Sequence, residues 1–553
     1  MNMNPRSEEF ATKGLLLMFG RALVNINTLN MKTALSLLIV ILFSNLLTAQ
    51  TTAIPDTNFE KVLIKLGYDT GSPDGTVPTV NIDTVTVLVV GSENINSLIG
   101  IEDFTALTWL KCDENQLKSI NVSQNTALSH LNCGDNELVS LDVTKNTSLT
   151  EMRCTENLLT SLDVTKNTGL TYLYCGENQI SSLDVSKNVA LNFLRCGNNL
   201  LANLDVTKNN VLTDLGCSNN LLTTLDVTKN TSLIQFNCSG NLLTSVDVTK
   251  ITSLAFFSCP RNQITSLDVT KNTALKFIAC TANKLTSLNV SKNTDLSQLV
   301  CDSNQLTRLD LSQNSALINF NCSENQLTSL DLSKNRALFN LACSNNQITD
   351  INLVKNNALK FLTCSRNQLE SFDVSKCDAL TRLNCNNNQL NKIDVTKNYV
   401  LDFLNCSDNQ LICLNLKNGN NTNFRGFNSI NNPNLSCIEV DDVGYSTTNW
   451  TDIDNSASFS TSCPDICTVS IEDINQPFEF LIYPNPSKGT FNIHLRDNNT
   501  GIITTLRNSL GQVIYAEEFE STNNISIDAE AGIYFLTLET VLGQYKTVKV
   551  IME

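Results

Sequence analysis

Apolar residues recur through most of this chain with a period of 21. Each repeat places leucine five positions before a cysteine and Leu, Met, Ile or Phe two before it. The cysteines stand at 112, 133, 154, 175, 196, 217, 238, 259, 280, 301, 322, 343, 364, 385 and 406. An asparagine follows three residues after every one of them, from Asn115 to Asn409. The turn reads LxxLxCxxNx(L/I)xxLDVxxNxxL, as in "TSLDVTKNTALKFIACTANKL" at 265–285. Alternation in L-x-C predicts a short strand that sends leucine and cysteine inward and the intervening residues outward. In "LDV", Leu267 and Val269 face in and Asp268 faces out. A single 21-residue turn cannot bury its own apolar side, so neighbours stack and share one core. The asparagine is expected to end the strand, satisfying backbone groups of the bend and of the next turn. Two short extended segments per turn leave no room for a long helix.

The pattern changes on both flanks. Residues 54–66, "IPDTNFEKVLIKL", show helical spacing at Phe59, Val62, Leu63 and Leu66, which predicts a cap over the first turn. "YDTGSPDGTVPT" reads as a loop, and its Asp69 and Asp74 do not meet the ligand positions of a calcium loop. "INSLIGIEDFTAL" (95–107) is helix-like. After Leu416 the register breaks, then resumes loosely as a C-terminal cap. From about Phe480 alternating segments separated by Gly-containing turns predict a small antiparallel β-sandwich.

The repeat resembles the leucine-rich repeat family, whose LxxLxLxxN core it matches with cysteine in the middle apolar slot. "YPNPSKGTF" (483–491), "LGQVIY" (510–515), "AGIYFLTL" (531–538) and the basic "YKTVKVIM" resemble the type A sorting domain of the type IX secretion system. Tyr483, Pro484, Asn485, Pro486, Gly489 and Lys549 carry that match. The resemblance implies a Bacteroidota protein, passage of folded cargo through the outer membrane by the type IX machinery, and removal of the tail. At the other end, Met31-Lys32, the apolar run Ala34–Leu47 and small Ala49 predict a cleaved secretory signal. The chain therefore divides into an extension that precedes the true start (1–30), a signal peptide (31–49), a helical cap with a first atypical repeat (50–106), the array (107–416), a C-terminal cap (417–466), a linker (467–479) and the sorting domain (480–553). No other run approaches 18 apolar residues, so no transmembrane segment is expected in the mature protein. The mature chain is expected outside the cell or on its outer surface.

Twenty cysteines with a signal peptide invite a disulfide framework. The column argues otherwise, because stacked thiols have parallel Cβ vectors and a disulfide needs a twist of about 90°. Buried free cysteine behaves as a compact hydrophobe, and no histidine or second thiol at ligand spacing supports a metal ladder. Among the five off-column cysteines, Cys377 replaces an asparagine, as Ile251 does. In the C-terminal cap a Cys437–Cys463 disulfide is favoured, with Cys413 an alternative partner.

The formal net charge of −16 repels phosphate backbones and argues against nucleic-acid binding. Two histidines, His130 and His494, and the lack of a phosphate loop, nucleophile elbow or zinc motif exclude the usual enzyme constellations. No cofactor is expected. The recurring Asp and Lys columns, such as Asp226 and Lys229, read as a solvated face. Outward residues of the cysteine strand do vary. Trp109, Tyr172, Tyr174, Phe193, Phe256 and Phe277 are the candidate ligand-binding residues, with an acidic edge at Glu114, Asp135, Glu156 and Glu177. Exposed aromatics on a rigid sheet are raw material for binding hot spots. The expected function is binding or adhesion to a protein or glycan through this face. The alternative is a structural spacer or matrix component without a specific ligand.

Overall fold

The computed structural model describes residues 50–463 and, toward the C-terminus, 480–483, 490–495, 502–508, 511–519, 523–526, 531–540 and 545–552. The proposed extension and signal peptide lie outside the described residues. Two compact units divide the chain at residues 368 and 369.

The first unit opens with helix α1 (Thr57–Lys65), where Asp56 Oδ1 accepts from the backbone N–H of Asn58 and Phe59 at 2.9 and 3.0 Å. Such a cap satisfies donors that the first helical turn leaves unpaired. Phe59, Val62 and Leu63 are buried, and the Phe59 ring lies over Phe104 at 6.4 Å. The buried Glu60 carboxylate takes the backbone N–H groups of Asp74 and Gly75, which ties down the loop carrying Asp69 and Asp74. The helix expected over 95–107 is absent; a single 3-10 turn, Ile101–Asp103, stands there. Ile95, Leu98, Ile101, Phe104 and Leu107 are all buried, so a spacing of three that imitates a helix is the inward side of an irregular repeat turn. Gly100, at φ 100°, bends the chain into a region a larger residue would resist.

Beyond it the three-residue strands stack in parallel. They begin at Val87–Val89 and Trp109–Lys111 and run to Phe361–Thr363, each paired with the equivalent residues of the next turn. The cysteines are 0% exposed, as are the leucines five residues before them. Each strand asparagine then locks its turn backward, not forward as its position suggested. Asn157 Nδ2 donates to the Cys133 carbonyl of the preceding turn at 3.0 Å, and its Oδ1 accepts from Leu138 N at 2.9 Å. The residue before that asparagine is left-handed in nearly every turn, at φ near 50° (Asp135, Glu156, Ala282).

In the second half of the turn Leu267 and Val269 are buried and Asp268 is exposed. Strand pairing nevertheless shrinks there to the isolated bridges Asp268–Asn289 and Leu330–Ile351. A side chain supplies the missing link: Asn272 Nδ2 donates to the carbonyls of Val248 and Ile251 in the turn before, at 2.9 and 2.7 Å. Asp268 Oδ1 meanwhile accepts from Thr270 N and Oγ1 at 2.9 and 2.6 Å, closing the bend.

In the second unit the cysteine strands continue as Arg382–Asn384, Phe403–Asn405 and Gly426–Asn428. Here the opposite side also forms a parallel sheet, from Lys392–Asp394 through Cys413–Asn415 and Cys437–Glu439 to Ser458–Ser460. The cap adds helix α2 (Val443–Asn449), N-capped by Asp442, and buries Trp450 against Phe424, Phe427 and Phe459. Cys437 and Cys463 form a disulfide with Cα atoms 5.9 Å apart, and Cys413 is disulfide-bonded too. The tail is two antiparallel sheets. One joins Phe480–Tyr483, Thr490–Leu495 and Asn523–Ser526; the other joins Ile502–Asn508, Val513–Phe519, Gly532–Thr540 and Tyr545–Met552. Alternation decides its faces: Leu506, Tyr534, Leu536, Leu538 and Val550 are buried while Ile533 and Phe535 are exposed.

Candidate functional site

The outward face of the cysteine strands is built from the residues one and three positions before each cysteine, set by parallel pairing about 4.8 Å apart. Ring pairs follow from that spacing. Trp109 stacks on His130 with centroids 4.6 Å apart and planes 9° off parallel. Tyr172 stacks on Phe193 at 4.7 Å and 14°. Tyr174, on the same strand as Tyr172, carries the Arg153 guanidinium over its ring at 4.7 Å. The first aromatic cluster is therefore three rings on two adjacent strands, a stacked pair and a third ring covered by a guanidinium that also pairs with Glu151 at 2.6 Å.

The second cluster is different. Phe256 and Phe277 are register partners, yet no stacking of these two rings occurs among the described residues. Phe256 is 44% exposed. The stacked pair of neighbouring turns, Phe236 on Phe257 at 5.5 Å, points into the core instead.

Between the clusters the face sinks into a hollow of about 680 Å³. Tyr174 and Arg195 stand on one side, Phe256 and Phe277 on the other, and Gly197, Gly216, Ser218 and Ser258 lie along it. Arg195 forks onto Asp214, with Nε to Oδ1 at 3.0 Å and a terminal nitrogen to Oδ2 at 2.5 Å. The Asp214 side chain is only 5% exposed, so a planar, charge-assisted pair is fixed into the wall. Sequence reasoning found both aromatic groups but not the hollow that joins them. Its signal was readable: glycines at 176, 197 and 216 fall together where neighbouring turns carry larger residues.

A further feature escaped that reading. The residue after the strand asparagine is Gln in most turns but leucine at 158, 200, 221 and 242, where it is 43–49% exposed. Leu200, Leu221 and Leu242 occupy successive turns and form an apolar rim beside the hollow's turns. The acidic edge sits on the left-handed bends: Glu114, Asp135, Glu156 and Glu177 all have φ near 50°. No group of three or more His, Cys, Asp or Glu able to hold a metal occurs among the described residues.

Burial raises the column thiols; Cys196, Cys238 and Cys280 are each pushed up to about 12. They are poor nucleophiles and serve as packing. Among the described residues sixteen cysteines, the column and Cys377, are in no disulfide.

A solved structure described as the functional domain of InlJ from Listeria monocytogenes, including a cysteine ladder, is similar to this chain at 27% identity. Its TM-score is 0.60, and the match covers 91% of this chain and 99% of that one. The array is a leucine-rich repeat solenoid. The plant peptide hormone receptor RGFR1 in complex with RGF2 shares the fold at 18% identity and TM-score 0.51, over 72% of this chain and 79% of that one. Residues 481–553 match the family described as "Secretion system C-terminal sorting domain". The sorting domain thus spans the antiparallel strands, and it directs export to the cell surface or extracellular space. Of its motif residues, Tyr483 ends the first strand and Lys549 lies exposed in the last, while Pro484, Asn485, Pro486 and Gly489 fall outside the described residues. A comparison with curated proteins found no match. No helix among the described residues is long and apolar enough to cross a membrane.

Proposed function

We propose that this solenoid is an exported binding protein that engages a protein or glycan through the outward face of its cysteine strands, between Tyr172 and Phe277. One observation carries the reading: aromatic rings gather on this face as a stacked pair and as the wall of the hollow beside it, whereas the hollow of about 670 Å³ on the Asp-Thr side, between Ser287 and Asp331, is lined by no aromatic residue. A spacer without a ligand has no use for a local hollow walled by half-exposed rings. The signal peptide (31–49), the cap (50–106), the array (107–416) and the tail (480–553) act in turn as export signal, seal, recognition surface and address. Trp109, stacked on His130, extends the face toward the N-terminal cap.

The test is binding of the full chain to panels of extracellular matrix proteins and glycans. A Tyr172→Ala/Phe193→Ala/Phe256→Ala variant is expected to lose most binding, and Lys229→Ala, on the Asp-Thr side, to retain it. Equal binding by both variants, or none by the unaltered chain, overturns the proposal.

A further inference from the structure

Gly216 is the only glycine at the strand position preceding the column cysteine; every other turn carries a side chain there. Nothing in the fold demands it. Its backbone is not left-handed, and the atoms nearest to a Cβ at Gly216 would be those of the Arg195 side chain, at an ordinary 3.6–4.0 Å. A glycine inside a strand weakens the strand and marks places where another group approaches the backbone. The space above Gly216 is that kind of place: the hollow of about 680 Å³, within the roughly 300–1,000 Å³ typical of small-ligand sites.

Its lining narrows the occupant. Strand Asp214–Gly216 is paired on both sides, so its backbone offers no free edge on which an extended peptide could add as a strand. Arg195 is already neutralised by Asp214, and Glu177 is the remaining charge on the lining, which disfavours anions. What faces the space is neutral: the carboxamides of Gln235 and Gln298, the Asn237 carboxamide, whose Oδ1 accepts from Ser239 N and Oγ at 3.0 and 2.5 Å so that Nδ2 is its donor to the space, and the Ser258 hydroxyl, 3.0 Å from Ser239 Oγ, with the Phe256 and Phe277 rings beside them. Amides and hydroxyls both donate and accept, as a ring bearing several hydroxyls requires. The flat apolar side of such a ring fits an aromatic wall.

We propose that the Gly216 hollow is a binding site for a neutral saccharide, its hydroxyls met by Gln235, Asn237 and Ser258 and its apolar side by Phe256 and Phe277. This rests on the outward face being the recognition surface and narrows the ligand class.

Titration calorimetry of the full chain against neutral oligosaccharides of two to four hexose or N-acetylhexosamine units tests it. At least one should bind. Gly216→Gln, which fills the floor, and Phe256→Ala, which removes a wall, should each weaken it by about tenfold or more, with melting temperature little changed. The rim variant Leu221→Glu should leave saccharide affinity as it is. Unchanged affinity in Gly216→Gln and Phe256→Ala would place the sugar elsewhere and overturn the inference. Preference for sulfated or carboxylated sugars overturns it too. Binding of a matrix protein but of no neutral saccharide, lost in Leu221→Glu, overturns the saccharide assignment while leaving the face as the recognition surface. Binding of nothing in either panel overturns both.

Discussion

Asn283 donates through Nδ2 to the carbonyl of Cys259, 3.0 Å away and one turn earlier. The same amide donates to Cys280 O at 3.1 Å, and its Oδ1 accepts from Ile264 N at 3.0 Å. One side chain thus closes its own bend and welds two turns. Asn283→Ala strands these buried groups, each at a cost of about 1–3 kcal/mol. A loss of about 3 kcal/mol is expected, read as a lower urea midpoint. Asn272, in the second asparagine column, donates twice but leaves Oδ1 without a partner. Ile251 and Cys377 already stand in that column, both buried. Asn272→Ile should therefore cost clearly less than Asn283→Ala. The reverse order would undo this account of the two columns.

The thiol column makes stability fall with alkali. Burial raises Cys133, Cys196, Cys238, Cys280 and Cys343 from about 9 to about 12. An unfolded chain releases these protons above pH 9 while the folded one keeps them, so the folded form binds more protons between pH 9 and 12. Stability is fully present below pH 9 and drops as pH rises, by up to about 1.4 kcal/mol per unit for each thiol. Urea midpoints measured from pH 7 to 11 should decline steeply beyond 9. Iodoacetamide at pH 8 should label almost nothing in the native protein and the sixteen free cysteines after unreduced denaturation.

Most of the solenoid was legible because one period fixes three inward columns at once, and stacking leaves no other way to bury Leu275, Ile278 and Cys280 together. The helix expected at 95–107 failed for a local reason: apolar residues three apart fit a 3-10 turn as well as a helix. The direction of the asparagine link was unreadable too, since the previous and next turns are the same sequence one period apart. The aromatic positions were visible as letters, whereas the hollow was marked only by the glycines at 176, 197 and 216, and letters do not give its shape. It depends on what stands beside Gly216 across strands, where the Arg195 stem lies against the glycine and its guanidinium is fixed by Asp214.

Ala282 occupies the left-handed bend at φ 52°, where a Cβ costs roughly 1–2 kcal/mol. Gly240 fills the equivalent place two turns earlier without that cost, at φ 62°. Ala282→Gly should raise stability by about 0.5–1 kcal/mol, part of the relief being offset by the freer unfolded chain. A lower melting temperature would show that this bend is not strained.

The array and its caps hold their own core, so the sorting domain carries an address and not a fold. Deleting residues 480–553 should leave the solenoid's circular dichroism and melting temperature nearly unchanged while abolishing its appearance outside the cell. Fractionation of cells expressing the truncated chain reads the outcome directly. Normal surface display would separate the sorting domain from export.

The Tyr172–Phe193 platform offers the last test, because stability and binding should part company there. The stack at 4.7 Å lies outside the core and contributes about 0.5–1.5 kcal/mol. Tyr174 adds the Arg153 contact, worth roughly 0.5–1 kcal/mol at an exposed site. Replacing Tyr172, Tyr174 and Phe193 by alanine should therefore lower the melting temperature only slightly. At a hot spot the same truncation costs about 2 kcal/mol or more in binding, roughly thirtyfold in affinity. The matched control must be Lys229→Ala alone. Asp226 lies on the same side, but its Oδ1 closes a bend by accepting from Thr228 N and Oγ1 at 2.9 and 2.7 Å, so its loss would confound the comparison. If the triple variant binds as the unaltered chain does, the platform is no part of the recognition surface, and the hollow at Gly216 must act without it.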